Sequence, residues 1–267
     1  MRRLSFGSML LPVYAGLAFV YLLTPIAYTL AFSFNDGGRS NLVWKGFTLD
    51  NWKNPCGAPA VCQSVVNSLQ IGVLSTVAAT VLGTMIAIAL VRYRFRFRST
   101  ASLLLFLPMA TPEVVLGAAL LAQFLNLKVN PGYATIVLAH IMFCISFVVV
   151  TVKARVAGLD PKLEEAAADL YASPQAAFWK VTFPLLLPGI AAAALLAFSL
   201  SFDDFIITNF NSGNTDTFPK FVYVSATRGI PAQANVIGSA MFFLALLIVV
   251  VGQVVAARRR RALAPQS

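Results

Sequence analysis

The chain has 267 residues, of which 58% are hydrophobic and 11% charged, with a formal net charge of +10. Soluble domains carry about 25% charged residues, so this composition and a mean hydropathy of +0.78 exclude an ordinary water-soluble fold. Its apolar runs of about 20 residues or more suit membrane-crossing helices and are far too long for barrel strands, which makes the expected fold an all-α polytopic bundle.

Six spans are expected. A short basic start, residues 1–9, precedes Leu10–Phe32. That stretch is too long for a signal-peptide core and lacks a small-residue cleavage site, so it reads as a retained first span. Phe34–Gln63 reads as an outer loop in which Trp44 and Trp52 anchor at the interface. Its Cys56 and Cys62 are either a disulfide of an oxidising compartment or two reduced thiols. Val65–Val91 is the second span, and Ser75, Thr76, Ala78, Ala79, Gly83 and Ala87 permit close helix approach.

Arg92–Arg98, read RYRFRFR, alternates basic and aromatic residues. It reads as an interfacial segment with arginines toward lipid headgroups. The same residue types would serve RNA, but nothing else in the chain supports a nucleic-acid partner. Ala101–Leu125 is the third span. Pro108 and Pro112 are expected to bend or break it, because proline withholds an N–H and crowds the preceding turn. Glu113 follows at once, an ionisable residue inside a span and so either functional or a hydrogen-bonded structural carboxyl.

Asn126–Gly132 turns the chain into the fourth span, Tyr133–Val152. This holds Cys144, expected to pack, and His140, the only histidine, expected to be a packed or water-facing side chain rather than a ligand, because no Cys, Asp or Glu shares its helix face. The fifth span, Phe183–Phe205, ends in Ser199, Ser201, Asp203 and Asp204. The two adjacent carboxylates stand about 100° apart on a helix, so at most one faces a central path. They line such a path or else mark the water boundary and cap the helix. Ile206–Gln233 reads as a second outer loop with a short interfacial helix at Phe218–Tyr223. The last span is Val236–Ala256, followed by a basic tail, residues 257–267.

Charge placement orients the bundle. Arg2, Arg3, Arg92, Arg94, Arg96, Arg98, Lys153, Arg155, Lys162, Lys180 and Arg258–Arg261 fall in alternate connections on one side, against six basic residues on the other. Positive residues concentrate inside, so both termini and the segment 153–182 are expected in the cytoplasm.

That segment is the one long polar passage between spans. Asp160-Pro161 signals a helix start, a side-chain cap followed by a proline that needs no N–H. Leu163, Ala166, Ala167 and Leu170 recur at helical spacing among Glu164, Glu165 and Asp169. Ser173-Pro174 repeats the start signal for a second short helix that runs into Trp179, Lys180 and the Pro184 that opens the next apolar span. Two short helices between spans make a docking knob rather than a catalytic site.

Glu165-Ala166-Ala167, Phe178-Trp179-Lys180 and Val181-Thr182-Phe183-Pro184 resemble the EAA signature of ABC importer permeases: EAA, three residues, glycine, nine residues, an aliphatic, any residue, then Leu-Pro. The spacing is kept, but Tyr171 stands at the glycine and Phe183 at the leucine. Glycine there permits a left-handed turn that tyrosine enters only with strain. LLLPGIAAAALLAFSLSFDDFIITNF is similar to the C-type permease of spermidine/putrescine importers, which also resemble this chain at Pro112-Glu113. The resemblance covers roughly residues 65–256 of a permease domain read as 10–256. It implies a six-span MetI-like fold, a second and different permease chain, two ATPase subunits and an extracytoplasmic binding protein. It also makes Glu164, Glu165, Ala166, Ala167, Leu170 and Tyr171 the coupling surface for the ATPase. ATP would be bound by those partners, since the chain has no GxxxxGK[ST] phosphate loop; it is expected to hold no cofactor and to be no enzyme.

A polyamine carries several ammonium groups on an apolar chain, and its path needs spaced carboxylates and aromatic rings. Glu113, Asp203 and Asp204 are the acids in or at the ends of spans, with Phe202 and Phe205 beside them. Glu113 and one aspartate, Asp204 before Asp203, are the expected cation contacts. Other cargo of the same class, such as an opine, a thiamine-like amine or a ferric complex, stays open, as does an ATP-independent carrier or channel.

Overall fold

The computed structural model describes residues 6–37, 43–58 and 60–262. Arg2, Arg3, Arg39 and residues 263–267 of the basic tail lie outside them. In chain order the α-helices are α1 (Phe6–Phe32), α2 (Asp50–Lys53), α3 (Val61–Arg92), α4 (Arg98–Ala110), α5 (Glu113–Asn126) and α6 (Tyr133–Ala157). They continue with α7 (Lys162–Asp169), α8 (Pro174–Ala177), α9 (Phe183–Asp203), α10 (Ile206–Asn211), α11 (Phe218–Arg228) and α12 (Ala232–Ala262). Five stretches are long and apolar enough to cross a membrane: Leu10–Phe32, Val61–Arg92, Tyr133–Ala157, Pro174–Asp203 and Ala232–Val255. The stretch expected as the third span is instead two helices, α4 and α5, bent by 110° to one another, the geometry of a broken span or a re-entrant loop.

The chain divides into two compact units, Met1–Cys62 with Val222–Ser267, and Gln63–Phe221. In the first, α1 packs along α12. Nearly all the large apolar side chains of α1 from Leu10 onward stay exposed, as a lipid-facing span requires. The connection after α1 is folded rather than loose. Phe34 stacks between Phe47 and Trp52 at 5.4 and 5.5 Å, and the Trp52 indole donates to Ser33 Oγ at 3.0 Å. Trp52 is therefore a strut of this connection, not simply an interface anchor. Cys56 and Cys62 are bonded, with Cα atoms 5.3 Å apart.

In the second unit α6 is the central helix. Ala139, Phe143, Cys144, Val148, Val152 and Val156 are buried along it, against Leu186, Ala193 and Ala197 of α9. Ser75, Ala79, Gly83 and Ala87 form the buried stripe of α3. A Cβ at Gly83 would stand 2.6 Å from Val148 Cγ1, so the small residue is what lets these two spans meet.

Two features go beyond the expectations. α8 runs into the fifth span through a five-residue π-helical turn, Phe178–Thr182, and so straight into α9. The Phe183 N–H reaches back to Phe178 O. This widened turn accommodates Pro184, whose ring would otherwise press on the carbonyl four residues earlier. The start of the expected second outer loop is also no surface loop. Ile207, Thr208 and Asn211 of α10 are buried, and α10 packs on α5 and α6.

Candidate functional site

Polar side chains gather at both ends of α9, whose 21 residues separate the two places by about 30 Å at 1.5 Å rise per residue. At the first end lies the loop. Asp160 Oδ1 receives the Lys162 N–H at 3.0 Å, so the expected cap starts α7. α7 closes with two paired bonds: Tyr171 N–H to Ala168 O at 2.9 Å and Ala172 N–H to Ala167 O at 3.0 Å. These are the bonds of a Schellman turn, whose left-handed position usually belongs to glycine. Here Tyr171 holds it, at φ +57°, a conformation that costs an L-residue about 1–2 kcal/mol. Its side chain is 98% exposed, so no packing within this chain offsets that strain. Ser173 Oγ then accepts the Ala176 N–H at 3.3 Å, with Pro174 at the first position of α8.

The two glutamates of α7 divide their roles. Glu164 Oε1 receives Arg92 Nη2 at 2.9 Å and the Thr182 hydroxyl at 2.6 Å, which ties α7 to the end of α3 and to the π-helical turn. This clasp lines a cavity of about 500 Å³ walled by Tyr93, Val156, Phe178 and Leu186. Glu165 and Ala166 point outward, together with Leu163, Leu170, Tyr171 and Trp179. Ala167 is buried beneath them. Of the expected coupling residues, Glu164 and Ala167 therefore serve the loop's own packing, while Glu165, Ala166, Leu170 and Tyr171 form its exposed face.

At the other end, two breaks in the helices meet. Thr111 turns extended (φ −83°, ψ 133°), as a residue before proline tends to, and α4 stops. The chain restarts when Pro112 O accepts the N–H groups of Val115 and Leu116. This puts Glu113 in the first turn of α5, where the positive end of the helix favours a carboxylate. α9 in turn stops at Asp203, and Asp204 is extended before α10 begins. Both breaks open on one cavity of about 350 Å³, lined by Glu113, Phe143, Ser199, Asp203, Asp204 and Phe205 among others. Carboxylates some 90 positions apart in sequence thus share one wall. Irregular backbone at membrane depth is tolerated where it lines such a cavity.

The neighbouring aspartates differ. Asp203 is exposed and makes no ion pair or hydrogen bond with side chain or backbone among the described residues. Asp204 is 8% exposed. Its Oδ1 receives the Ile207 N–H at 3.2 Å and its Oδ2 the Thr208 N–H at 2.8 Å, so it caps α10. Oδ2 also faces His140 Nε2 at 3.2 Å. His140, 1% exposed, reaches Ser201 Oγ at 2.8 Å through Nδ1 and Thr208 Oγ1 at 3.0 Å through Nε2. Phe202 turns away from the cavity and stacks on Phe198 at 5.8 Å. The expected preference for Asp204 as cation contact thus meets a carboxylate whose oxygens are already occupied.

The family described as the binding-protein-dependent transport system inner membrane component matches residues 79–266. The chain belongs to this family. The permease is 34% identical, over 91% of its length and 90% of the relative's, to the spermidine/putrescine transport system permease protein PotC of Escherichia coli K12. It is 33% identical to PotC of Haemophilus influenzae over 85% and 89% of the two chains, and 34% identical to the putrescine transport system permease protein PotI of E. coli K12 over 84% and 82%. Among solved structures, a bacterial ABC transporter involved in import of the acidic polysaccharide alginate matches with a TM-score of 0.69 at 18% identity, covering 96% of this chain and 98% of the other. The methionine ABC transporter MetNI matches with a TM-score of 0.58 at 16% identity, over 77% and 96%. The permease is a multi-pass membrane protein with the MetI-like fold expected of it, and its family is one of transport components.

What the sequence did not show is the polar network of His140. A lone histidine on an apolar helix carries no local sign of partners that lie 61 to 68 positions away. The signal within reach was the coincidence of one buried-span histidine with paired aspartates at the end of a neighbouring span.

Proposed function

We propose that this chain is the permease subunit of an ABC importer for polyamines, forming the translocation path with a second, different permease chain. In this reading two ATPase subunits drive it from the cytoplasm and an extracytoplasmic binding protein delivers the cargo. The observation that carries the cargo assignment is the shared cavity: of ten acidic residues in the chain, the three that lie in or at the ends of spans all line it. Its likeness to PotC and PotI supports the same class.

The energetics suit transit rather than storage. An ammonium about 4 Å from a carboxylate gains about 4 kcal/mol at an effective dielectric of 20, while leaving water costs several kcal/mol. One carboxylate per ammonium roughly offsets the loss without trapping the ion. Glu113 and Asp203 are the two acids with uncommitted oxygens, and Phe205 and Phe143 offer ring faces for the alkyl chain and its charged ends. The C-terminal end of α9 adds its negative dipole to the same wall. An anionic opine would find the wrong sign of charge here.

The loop gives the coupling. The exposed face of Glu165, Ala166, Leu170 and Tyr171 docks in an ATPase cleft, with Glu165 meeting a basic or amide group. Motion of that face reaches α3 and α9 through the Glu164–Arg92–Thr182 clasp. The test is uptake of labelled spermidine and putrescine by proteoliposomes holding the whole transporter and its binding protein. Glu113→Gln and Asp203→Asn should each lower uptake at least tenfold while the complex still assembles. Unchanged uptake in both variants would remove the cavity from the path. Uptake without the ATPase subunits would make the chain an ATP-independent carrier instead.

A further inference from the structure

We infer that His140 is a positioning residue for the cation path: it holds Asp204 as a fixed anchor between α6, α9 and α10, and so leaves Asp203 as the only aspartate of the pair that meets cargo. The inference rests on the reading of the 350 Å³ cavity as the path, and it deepens that reading by dividing two adjacent carboxylates into a scaffold and a contact.

The hydrogen-bond roles follow from the partners. An ionised carboxylate only accepts, so the proton between His140 Nε2 and Asp204 Oδ2, 3.2 Å apart, belongs to Nε2. In the neutral ring Nδ1 is then bare and accepts the Ser201 hydroxyl at 2.8 Å. The Thr208 hydroxyl lies 3.0 Å from the same Nε2. Its backbone N–H meanwhile donates to Asp204 Oδ2 at 2.8 Å and the Ile207 N–H to Oδ1 at 3.2 Å. Three elements therefore converge on one imidazole: α6 through His140 itself, α9 through Ser201, and α10 through Thr208. Each of these side chains is nearly or fully buried.

A carboxylate so served is 8% exposed and has a donor on each oxygen, which leaves it a poorer contact for a passing ammonium than exposed Asp203. Cargo that took it would strip donors from a buried network, and an unsatisfied buried group costs about 1–3 kcal/mol. Asp203, one position earlier, belongs to the last residue of α9, and its side chain falls about 100° around the helix, into the cavity. The backbone break after it is set by Asp204's extended conformation (φ −65°, ψ 123°). The direction in which Asp203 points is thus decided by what holds Asp204.

The experiment uses the complete transporter in proteoliposomes with its binding protein. It records thermal stability of the assembled complex and, per assembled complex, the maximum rate and half-saturation of spermidine uptake. Asp204→Asn, with its oxygen at the Oδ2 position, keeps the acceptor for the Thr208 N–H and Nε2–H and gives up only the longer bond from the Ile207 N–H. It should transport within twofold of the natural chain, whereas Asp203→Asn should fall at least tenfold. His140→Leu should lower both stability and uptake rate. His140→Gln retains a donor at the Nε2 position, and it should recover most of the rate. A general packing role predicts no such recovery, because glutamine fills the space no better than leucine.

An Asp204→Asn loss per assembled complex as deep as that of Asp203→Asn, at unchanged stability, would overturn the inference and leave the cavity reading intact. So would equal uptake by His140→Leu and the natural chain. If Asp204→Asn yields no complex, Asp204→Ser takes its place with the same two outcomes. Full uptake by Asp203→Asn and Glu113→Gln together would instead mark failure of the cavity reading itself.

Discussion

At the loop end of α9, Glu165, Leu170, Tyr171 and Trp179 stand in the open, whereas at the other end Asp204, His140 and Thr208 are closed into a network with almost no exposure. The open group combines apolar side chains with a carboxylate and a strained Tyr171 backbone; Trp179 rests on Phe178 and Phe183, but Leu170 and Tyr171 are 81% and 98% exposed. Such a face makes physical sense once another protein covers it, since large exposed apolar patches mark interaction sites. The closed group has its acceptors and donors matched and needs no partner. Beside it, Asp203 and Glu113 are exposed carboxylates in a cavity wall, which suits them to the transit role proposed above.

The comparison can be broken at either end. Glu165→Lys should have the largest effect, a loss of coupled uptake of at least tenfold with the melting temperature of the permease unchanged. A fall in stability would show that the face is part of the fold after all. Thr208→Val removes a hydroxyl from a fully buried site and should destabilise the chain by about 1–3 kcal/mol. Thermal unfolding of the purified complex reads this directly, and an unchanged transition would mean the network contributes little.

Smaller effects sharpen the picture. The Arg92–Glu164 pair is partly exposed, with side chains at 23% and 38%, so Arg92→Gln should cost only about 1 kcal/mol, the upper end for such pairs. Its transport defect should exceed that cost if the clasp conveys motion, which the ratio of uptake to ATP hydrolysis measures. Tyr171→Gly relieves the left-handed backbone and should stabilise the isolated permease by about 1 kcal/mol. Affinity for the ATPase subunits, measured by co-purification at increasing dilution, should weaken in the same variant, because the exposed ring is lost. A tighter complex would show that the ring is not part of the docking face.

Local chemistry was legible before any fold. Asp160-Pro161 and Ser173-Pro174 start helices as their side-chain caps dictate. Pro112 breaks the third span as expected, whereas Pro108, expected to act with it, sits inside α4 without ending it. The small residues of α3 lie at helical spacing on the side that packs. Tyr171 occupies the left-handed position where the spacing puts the motif glycine. The unread features were of another kind. α8 continues into α9 because a π-helical turn absorbs Pro184, and nothing in the residue types chooses a widened turn over a stop. α10 is buried although its sequence reads like a connection, since its neighbours α5 and α6 come from far earlier in the chain.

By itself the amino-acid order determined that this chain is a multi-pass helical membrane protein, where most of its helices begin, and which carboxylates lie in or beside its apolar stretches. These depend on spans of length, proline chemistry and caps, all settled within a few residues. Only the tertiary structure decided that Glu113 and Asp203 face one cavity, that Glu164 turns inward while Glu165 turns out, and that His140 takes Asp204 for itself. Those outcomes depend on which helices touch, and the direction of a side chain between packed helices is set by partners that sequence distance does not reveal.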